Sequence, residues 1–473
     1  MTVTIRGRDD FSLRNYERVA WGGEDVNLDQ ECWRQVESGR AALLRYVDAH
    51  SEVPIYGVTT GFGDLAKRVL GSEEREHQAH WLGHHRGIGV GAPYPTRVVR
   101  GMVFARLTNF VDGRAGVSRS LVSDVAAMLA QPELPMVRMR GQQSSGEVNT
   151  LLELFAQLLG DTRQLKDANS LTNGSPCASA LLADSSLRAR RLLGLVVKVM
   201  ALVILAGGGP LAPYDLALRD AWADEYDGAA LGELAGLLDL APTDERTAFQ
   251  PPVSWRIIPR VLGAAFRSLD NLERVGAASL ASNTDNPVYE RQAGGEAGLG
   301  RVLPTGGFHN GQACPALNGV ARCWADLATL TGRFVAVLGR RALDVERELS
   351  LYALTAFHAY FARRARDAAV PTLLLAEDTF SNQTDVMSPV PYAYEKETEA
   401  VEALVACLAA TAASASQGLW YRKVEPLGVL GALLDGVRER SVPGALLRSQ
   451  GDEMQALVSY FSGQLFGGVD GAL

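Results

Sequence analysis

The sequence predicts a mainly α-helical protein, and three observations point to this class. Apolar residues recur at spacings of three and four, as at Leu327, Leu330, Phe334 and Leu338. Hydrophobic residues make up 47% of the chain but aromatic residues only 7%, which is typical of helices packed through Ala, Leu and Val. Alternation of Val, Ile and Thr is short and local, as in Met1 to Arg6, so we expect few strands.

Strong helix formers fill a series of separate segments along the chain. In chain order they predict helices over Asp29–His50, Pro95–Leu107, Arg119–Leu129, Ser145–Leu159, Leu181–Leu205, Ala229–Leu240, Ile258–Leu280, Gln312–Leu349 and Tyr394–Leu419. The stretch from Gly311 to Tyr360 contains no proline except Pro315, which favours an extended central helix. Clusters of Gly and Pro between these segments predict loops at residues 56–63, 87–95, 207–213, 242–252 and 294–311.

The domain organisation is predicted from the absence of linkers and repeats. A length of 473 residues suggests about three domains by itself. Because the loops lack the composition of flexible linkers, we predict one body over residues 1–473. Residues 1–200 would form a smaller N-terminal lobe, and residues 201–473 a bundle of long central helices.

Composition excludes several classes of protein. A charged fraction of 21% and a net charge of −8 exclude a disordered chain and disfavour a nucleic-acid binder. The five cysteines show no CxxC spacing, so neither a zinc ribbon nor a disulfide framework is expected. No signal peptide is visible at the start, and the apolar runs Leu192–Leu205 and Val401–Leu419 are predicted core or interface helices. We therefore expect a cytoplasmic protein without membrane partners.

Two segments resemble cofactor-binding motifs, one for a metal and one for a dinucleotide. His77, His80 and His84 share one helical face, but the sequence around them lacks HExxH and an obvious fourth ligand. Gly83–Gly91 is rich in glycine but lacks the GxGxxG spacing and a preceding strand. We therefore expect neither a metal nor a nucleotide.

Several short polar motifs are each compatible with ordinary turns. The most specific are Tyr56-Gly-Val-Thr-Thr-Gly-Phe-Gly63, Thr284-Asp-Asn-Pro287 and the Ser145-Gly146 pair that opens an apolar helix. Asn173-Gly174, Gly306-Gly307 and Asn382-Gln383 accompany them. In this order they resemble the aromatic amino acid ammonia-lyase and aminomutase family, which includes histidine, tyrosine and phenylalanine ammonia-lyases. The resemblance implies the elongated helical fold of the ammonia-lyase, fumarase and aspartase type.

The family builds an electrophile, 4-methylideneimidazole-5-one (MIO), from an Ala-Ser-Gly triplet in its own backbone. Ser144-Ser145-Gly146 is the corresponding triplet here. Ser144 contributes only its carbonyl, Ser145 loses its hydroxyl, and Gly146 permits the tight approach. The resemblance therefore implies that this triplet cyclises.

The resemblance also assigns roles around the ring. Tyr56 corresponds to the base that removes a β-proton, and Asn173 to the residue that hydrogen-bonds the ring. Arg256 corresponds to the residue that binds the substrate carboxylate, a bidentate task to which Arg is suited.

The sequence departs from the family pattern at four places. Val253 replaces a tyrosine three positions before Arg256, Glu147 replaces the Asp after the Ser-Gly pair, and Gln143 replaces the Gly before the triplet. In Gly306-Gly-Phe-His-Asn-Gly311 the family's Asn, Phe and His occur in permuted order, so Phe308 and His309 are candidate substrate contacts.

Substrate choice in the family depends on two residues that correspond to Gly83 and His84. His84 points to a polar ring, imidazole or phenol, since it can hydrogen-bond such a ring. Gln383 and Thr384 are further candidate contacts, and histidine lyases carry Glu where Thr384 stands. A pure histidine lyase is therefore disfavoured, and Gly83 leaves room for a larger or modified substrate.

Three functions remain open on the sequence. The leading one is a MIO-dependent lyase acting on an aromatic or heteroaromatic amino acid, with a 2,3-aminomutase sharing every residue discussed. The second is a remodelled member with a non-standard substrate, and the third is a catalytically silent scaffold. The resemblance implies a homotetramer with shared active sites, so Tyr56, Ser145 and Arg256 need not share one chain's pocket.

Overall fold

The computed structural model describes residues 1–62, 66–75, 77, 87–159, 165–241, 246–247, 249–291, 300–346, 350–379, 384–444 and 449–466. Helices dominate these residues. In chain order they are α1 Leu13–Tyr16, α2 Gln30–Ala49, α3 Thr96–Thr108, α4 Arg119–Met128, α5 Val148–Leu154, α6 Leu165–Thr172, α7 Pro176–Gly207, α8 Leu218–Trp222, α9 Glu225–Leu238, α10 Val253–Arg256, α11 Ile258–Leu280, α12 Ala313–Glu346, α13 Ser350–Ala368, α14 Val390–Arg422, α15 Gly428–Arg438 and α16 Gln450–Phe466.

Strands are short and occur in pairs. They are β1 Thr2–Ile5, β2 Asp25–Leu28, β3 Val90–Pro93, β4 Arg138–Arg140, β5 Val288–Glu290, β6 Arg301–Leu303, β7 Leu375–Thr379 and β8 Thr384–Met387. β1 and β2 pair in parallel. The pairs β3–β4, β5–β6 and β7–β8 are antiparallel.

The observed helices confirm the mainly helical prediction, with informative differences at their ends. The bounds of α11 are those predicted. The expected spine between Gly311 and Tyr360 consists of α12 and α13, with residues 347–349 outside the described part. The helix predicted from Ser145 begins only at Val148, because Gly146 and Glu147 adopt left-handed backbone conformations. Helices α1, α6, α8, α10, α15 and α16 were not predicted.

The contacts divide the chain into two units, each assembled from separate stretches. The first comprises Met1–Leu187, Glu273–Pro315 and Thr372–Glu395. The second comprises Arg188–Leu272, Ala316–Pro371 and Lys396–Leu473. The division at residue 200 stays a prediction.

In the first unit a buried carboxylate ties several elements together. Asp184 accepts hydrogen bonds from Arg97 Nε at 2.9 Å, Trp21 Nε1 at 3.0 Å and Tyr394 OH at 2.9 Å. Because an unpaired buried charge is costly, these three donors are what make its burial tolerable.

The second unit is built on small and aliphatic side chains. Most residues of α14 from Ala400 to Ala415 are buried. Glu397 accepts hydrogen bonds from Arg188 and, at 3.1 Å, from Trp324 Nε1. Among the described residues, α14 alone has the length and apolarity of a membrane span, and 83% of its most apolar window is buried within the protein.

Candidate active site

A sharp turn at Ser144–Glu147 separates β4 from α5. Ser144 is extended, whereas Gly146 has φ 62° and ψ 21° and Glu147 has φ 58° and ψ 23°. Glycine adopts the left-handed region readily, but glutamate does so at a cost of roughly 1 kcal/mol. Two consecutive left-handed residues therefore require support from outside the turn.

The side chain of Glu147 supplies part of that support. Its carboxylate accepts hydrogen bonds from the backbone N–H groups of Cys177 at 2.7 Å and Ala178 at 2.8 Å. These groups lie in the first turn of α7, where the helix dipole favours a negative charge. Burial raises the pKa of Glu147 to about 7, against the lowering effect of these hydrogen bonds. The Glu147 side chain thus fastens the turn to the start of α7.

The Ser144 carbonyl and the hydroxyl groups of Ser144 and Ser145 all form hydrogen bonds. The Ser144 carbonyl accepts hydrogen bonds from Ser388 N at 3.2 Å and Glu147 N at 3.4 Å. The Ser144 hydroxyl accepts a hydrogen bond from Asn149 N at 3.1 Å, and the Ser145 hydroxyl donates one to the Val386 carbonyl. Donors that converge on a carbonyl oxygen make its carbon more electrophilic. The Ser144 carbonyl is therefore prepared for nucleophilic attack.

Asn173 stands against Gly146. A Cβ built at Gly146 would lie 3.2 Å from Asn173 Oδ1, so close approach as well as positive φ requires glycine there. Gly174 N donates a hydrogen bond to the Gly146 carbonyl at 3.1 Å. Asn173 Oδ1 is buried and has no hydrogen-bond partner among the described residues. The side-chain amide of Asn173, whose Nδ2 is a hydrogen-bond donor, therefore lies directly beside Ser144–Gly146.

The Thr284–Pro287 motif hydrogen-bonds to α6 and to Ser175, which lies just before α7. Asp285 accepts hydrogen bonds from Lys166 Nζ at 2.7 Å and Ser170 Oγ at 2.9 Å. Thr284 Oγ1 accepts one from Ser175 N at 3.0 Å. The motif therefore positions the segment that carries Asn173 rather than presenting a reactive group of its own.

The loop of Tyr56 packs on α6, the helix that precedes Asn173. A Cβ at Gly57, where φ is 64°, would lie 2.5 Å from Asn169 Nδ2, so glycine is required at this contact. The Ile55 N–H donates to Thr59 Oγ1 at 2.7 Å and closes the loop. The half-buried Tyr56 ring meets Phe62 edge to face, with 5.8 Å between the ring centres.

Three further predicted contacts lie on segments that border the same turns. Phe308 and His309 are half-buried and follow Gly307, whose carbonyl accepts a hydrogen bond from Ser175 Oγ at 3.5 Å. Thr384 begins β8, the strand whose Val386 carbonyl binds the Ser145 hydroxyl. The first unit thus gathers most of the described candidates around α6, α7 and β8.

Comparisons with known proteins identify the family. A sequence profile of aromatic amino acid lyases matches residues 11–165 and 162–439. The chain belongs to the aromatic amino acid lyase family. It is 25% identical over 454 residues to histidine ammonia-lyase of Bradyrhizobium diazoefficiens, across 87% of this chain and 85% of the relative. The resemblance expected from the motifs is confirmed, and the chain is an enzyme of the carbon–nitrogen lyase class.

Solved structures confirm the fold. Ergothionase from Treponema denticola, an ergothioneine-degrading enzyme, has a TM-score of 0.88 at 16% identity and covers 98% of this chain and 99% of its own. Phenylalanine aminomutase from Pantoea agglomerans has a TM-score of 0.85 at 17% identity, covering 96% of this chain and 98% of its own.

Arg256 of this lyase lies in the second unit, at the end of α10. Its Nε donates to the Pro251 carbonyl at 3.1 Å, and its side chain is half-buried. The adjacent Trp255 anchors the helix, because its ring is buried with its centre 4.6 Å from that of Phe334. Val253, at the family's tyrosine position, is 60% exposed.

Some predicted contacts of the lyase lie outside the described residues. These are Gly83, His84 and Gln383, together with His80 of the histidine face. Among the described residues, no group of three His, Cys, Asp or Glu side chains is arranged to hold a metal.

Sequence reasoning missed the buried charges that support the site. Lys166 and Arg106 are 4% and 0% exposed, although both residue types usually lie at the surface. The available signal was weak: Lys166 stands in a helix that was not predicted, and Arg106 lies in an apolar helix six residues after Arg100. Neither motif comparison nor periodicity singled them out.

Proposed function

We propose that this chain is a MIO-dependent ammonia-lyase that removes the α-amino group of an aromatic or heteroaromatic L-amino acid, of histidine-like or tyrosine-like type. One arrangement carries the proposal. The side-chain amide of Asn173 lies against Gly146, while two N–H groups converge on the Ser144 carbonyl. A scaffold needs neither feature.

The cyclisation balances within the triplet. The Gly146 nitrogen attacks the Ser144 carbonyl carbon, and the carbonyl oxygen leaves as water with the amide protons of residues 145 and 146. Ser145 then loses its hydroxyl and α-hydrogen as a second water. Ser388 N–H and Glu147 N–H support the charge that grows on the Ser144 oxygen during the attack.

The completed ring supplies a carbon electrophile for the substrate amine, a chemistry that ordinary side chains lack. In the proposed site Tyr56 takes the β-proton, which requires a depressed phenol pKa or a shared proton. Asn173 orients the ring through its side-chain amide. Arg256 binds the substrate carboxylate, contributed where required by a neighbouring copy in a homotetramer.

The proposed substrate type rests on His84, in the Gly-rich segment Gly83–Gly91, and on Thr384. His84 favours imidazole or phenol by hydrogen bonding. The relationship to histidine ammonia-lyases supports a histidine-like substrate, whereas Thr384 replaces the glutamate that histidine lyases carry. We therefore include tyrosine in the same proposal.

Two related activities compete with this one. A 2,3-aminomutase uses the same residues and readds ammonia before it escapes, and structures of phenylalanine and tyrosine aminomutases have similar folds. A remodelled lyase with a modified substrate is favoured by Val253, which is 60% exposed where the family carries tyrosine. The fold likeness to ergothionase accords with such remodelling.

Intact mass of the purified wild-type protein is the first test. Loss of two waters relative to the encoded sequence supports the ring, and an unmodified mass overturns both the lyase and the mutase proposals. His, Tyr and Phe are then supplied separately. Absorbance of the conjugated acid reports elimination, and chromatography of β-amino acids reports the mutase.

A substitution tests the specificity assignment. We expect His84→Leu to shift preference from Tyr and His towards Phe, because the hydrogen-bonding group is replaced by an apolar one. Unchanged ratios of kcat/KM among the three amino acids would remove His84 from the pocket.

A further inference from the structure

Arg106 is a fully buried guanidinium in the first unit, at the end of α3. Its Nη1 donates hydrogen bonds to the carbonyl of Ser170 at 2.7 Å and to the carbonyl of Asn173 at 3.0 Å. It therefore clamps the end of α6 together with the turn that follows it.

The bond to Asn173 reaches the cyclising triplet through one peptide group. The Asn173 carbonyl and the Gly174 N–H belong to the same peptide unit, and Gly174 N donates to the Gly146 carbonyl at 3.1 Å. A cation at one end of a peptide polarises it and strengthens the donor at the other end. Arg106 thus fixes the peptide group whose Gly174 N–H binds the Gly146 carbonyl. It also holds the backbone of Asn173, whose side-chain amide lies against Gly146.

The clamp is distinct from an ordinary buried ion pair. Among the described residues Arg106 has no ion-pair partner, and its Nε and Nη2 have no hydrogen-bond acceptor. Asp285, the nearby acid, is occupied by Lys166 at 2.7 Å. Arg97 of the same unit, by contrast, forms an ion pair with Asp184 at 2.9 Å. Burial of a cation on two peptide carbonyls and the Phe110 ring, whose centre is 5.9 Å from the guanidinium carbon, is costly without a counter-charge, which calls for a role beyond packing.

Gly174 leaves room for this contact, in a backbone conformation that itself favours glycine. Its φ is 145°, and a Cβ there would lie 3.0 Å from Arg106 Nη2 and 3.1 Å from Nη1. Any side chain at this position would push the guanidinium away from the turn. Glycine is thus needed for the guanidinium to approach.

We propose that Arg106 is a positioning residue for ring closure at Ser144–Gly146. Its guanidinium fixes the peptide between Asn173 and Gly174, which in turn holds the Gly146 carbonyl and presents the Asn173 amide to the ring. This inference rests on the proposed function, since it assigns a role in forming the same electrophile.

The test compares Arg106→Lys with Arg97→Lys, a matched change of a buried arginine in the same unit. Intact mass is measured at intervals after cell-free synthesis, and the melting temperature is measured on the same samples. Lysine keeps the charge but cannot reproduce the forked geometry. We expect Arg106→Lys to slow the loss of two waters by roughly tenfold or more, the effect of a lost charge-assisted hydrogen bond. Arg97→Lys should lower the melting temperature and leave the rate of ring formation unchanged.

Gly174→Ala is the second variant, and it retains the arginine. It should also slow ring formation, because the new methyl group crowds the guanidinium and strains the peptide between Asn173 and Gly174 that the guanidinium holds. If Arg106→Lys fails to fold, Gly174→Ala decides the matter, and ring formation at the wild-type rate in that variant overturns the inference. It is equally overturned if Arg106→Lys cyclises at the wild-type rate, or if Arg97→Lys slows cyclisation as much. A wild-type protein that never loses water overturns the proposed function itself, and the inference falls with it.

Discussion

The turn Ser144–Glu147 and the middle of α14 are both largely buried, yet they satisfy their polar groups in opposite ways. In α14, Thr411 and Ser414 donate hydrogen bonds to carbonyls four residues earlier, at 2.7 and 2.9 Å. In the turn, the partners of Ser144, Ser145 and Glu147 include residues more than twenty positions away in sequence. These two hydroxyl groups are satisfied within their own helix, whereas the turn depends on distant segments for its conformation.

We interpret α14 as part of the scaffold and the turn Ser144–Glu147 as the place of the chemistry. The local hydrogen bonds allow these two hydroxyl groups to be buried among the small side chains of α14 without partners from other segments. Hydrogen bonds from distant segments hold two consecutive residues of the turn in left-handed conformations. They also keep Asn173, whose Oδ1 has no donor among the described residues, against Gly146. Such strain persists only where surrounding structure imposes it, and it is typical of functional sites.

The largest expected effect is that of Ser145→Ala, which tests whether the turn carries the chemistry. We expect complete loss of the second dehydration and of turnover, because alanine has no departing hydroxyl. Folding should persist, as judged by circular dichroism. Turnover at the wild-type rate would exclude the ring mechanism.

Ser144→Ala is the matched control for that variant. It restores the family's Ala-Ser-Gly triplet and retains the reacting carbonyl, so both waters should still be lost. Because Ser144 Oγ accepts the Asn149 N–H at 3.1 Å, stability should fall by about 1 kcal/mol in chemical denaturation.

Glu397→Ala tests the scaffold region. Arg188 and Glu397 are 1% and 0% exposed, so removal of the carboxylate leaves a buried guanidinium. We expect a loss of about 3–5 kcal/mol in the free energy of unfolding. Protein that remains folded should still lose two waters.

Glu399→Ala is the corresponding surface control. Its contact with Arg364 is 4.0 Å and solvent-exposed, so the change in stability should stay within about 0.5 kcal/mol. Equal losses in the two variants would refute the special role of the buried pair.

The Glu147 carboxylate predicts a pH dependence for the turn. Burial raises its pKa from 4.5 to about 7, so the folded state binds the proton more tightly than the unfolded chain does. The contribution of this group to stability is therefore greatest below about pH 4.5 and falls by roughly 3 kcal/mol as the pH rises through 7. Glu147→Gln should remove this component of the slope, measured by denaturant unfolding between pH 5 and pH 8. Glu133→Gln, at an exposed site, should leave the slope as in the wild type.

Ala410→Val tests the packing of the scaffold region. Ala410 is fully buried in α14, and two extra methyl groups should cost about 1–3 kcal/mol through overpacking. Ala229→Val, exposed on α9, should cost less than about 1 kcal/mol. Ring formation should be unchanged in both, and slowed cyclisation in Ala410→Val would contradict the separation of scaffold from turn.

The helices were predictable to different degrees, for physical reasons. α11 has a strong amphipathic pattern, and its predicted and observed bounds coincide. α6 is short, and its Lys166 and Asp167 suggest a surface segment, whereas both are buried. The buried position of Lys166 depends on Asp285, 119 residues later, which a local pattern does not encode.

The candidate site shows the same division. Tyr56, Ser145, Gly146, Asn173 and Arg256 were singled out by resemblance, because short motifs kept a recognisable order. The bond from Glu147 to α7 and the clamp by Arg106 were not expected. Each joins segments that are separated in sequence, so only folding brings their atoms within reach.

The sequence by itself determined the helical class, most of the helices and the residue types needed for ring formation, since these depend on local periodicity and covalent chemistry. Tertiary structure decided which carbonyl is polarised, which oxygen is left without a donor and which buried charges hold the turn. Hydrogen-bond geometry and desolvation decide these properties, and both arise only when distant segments pack together.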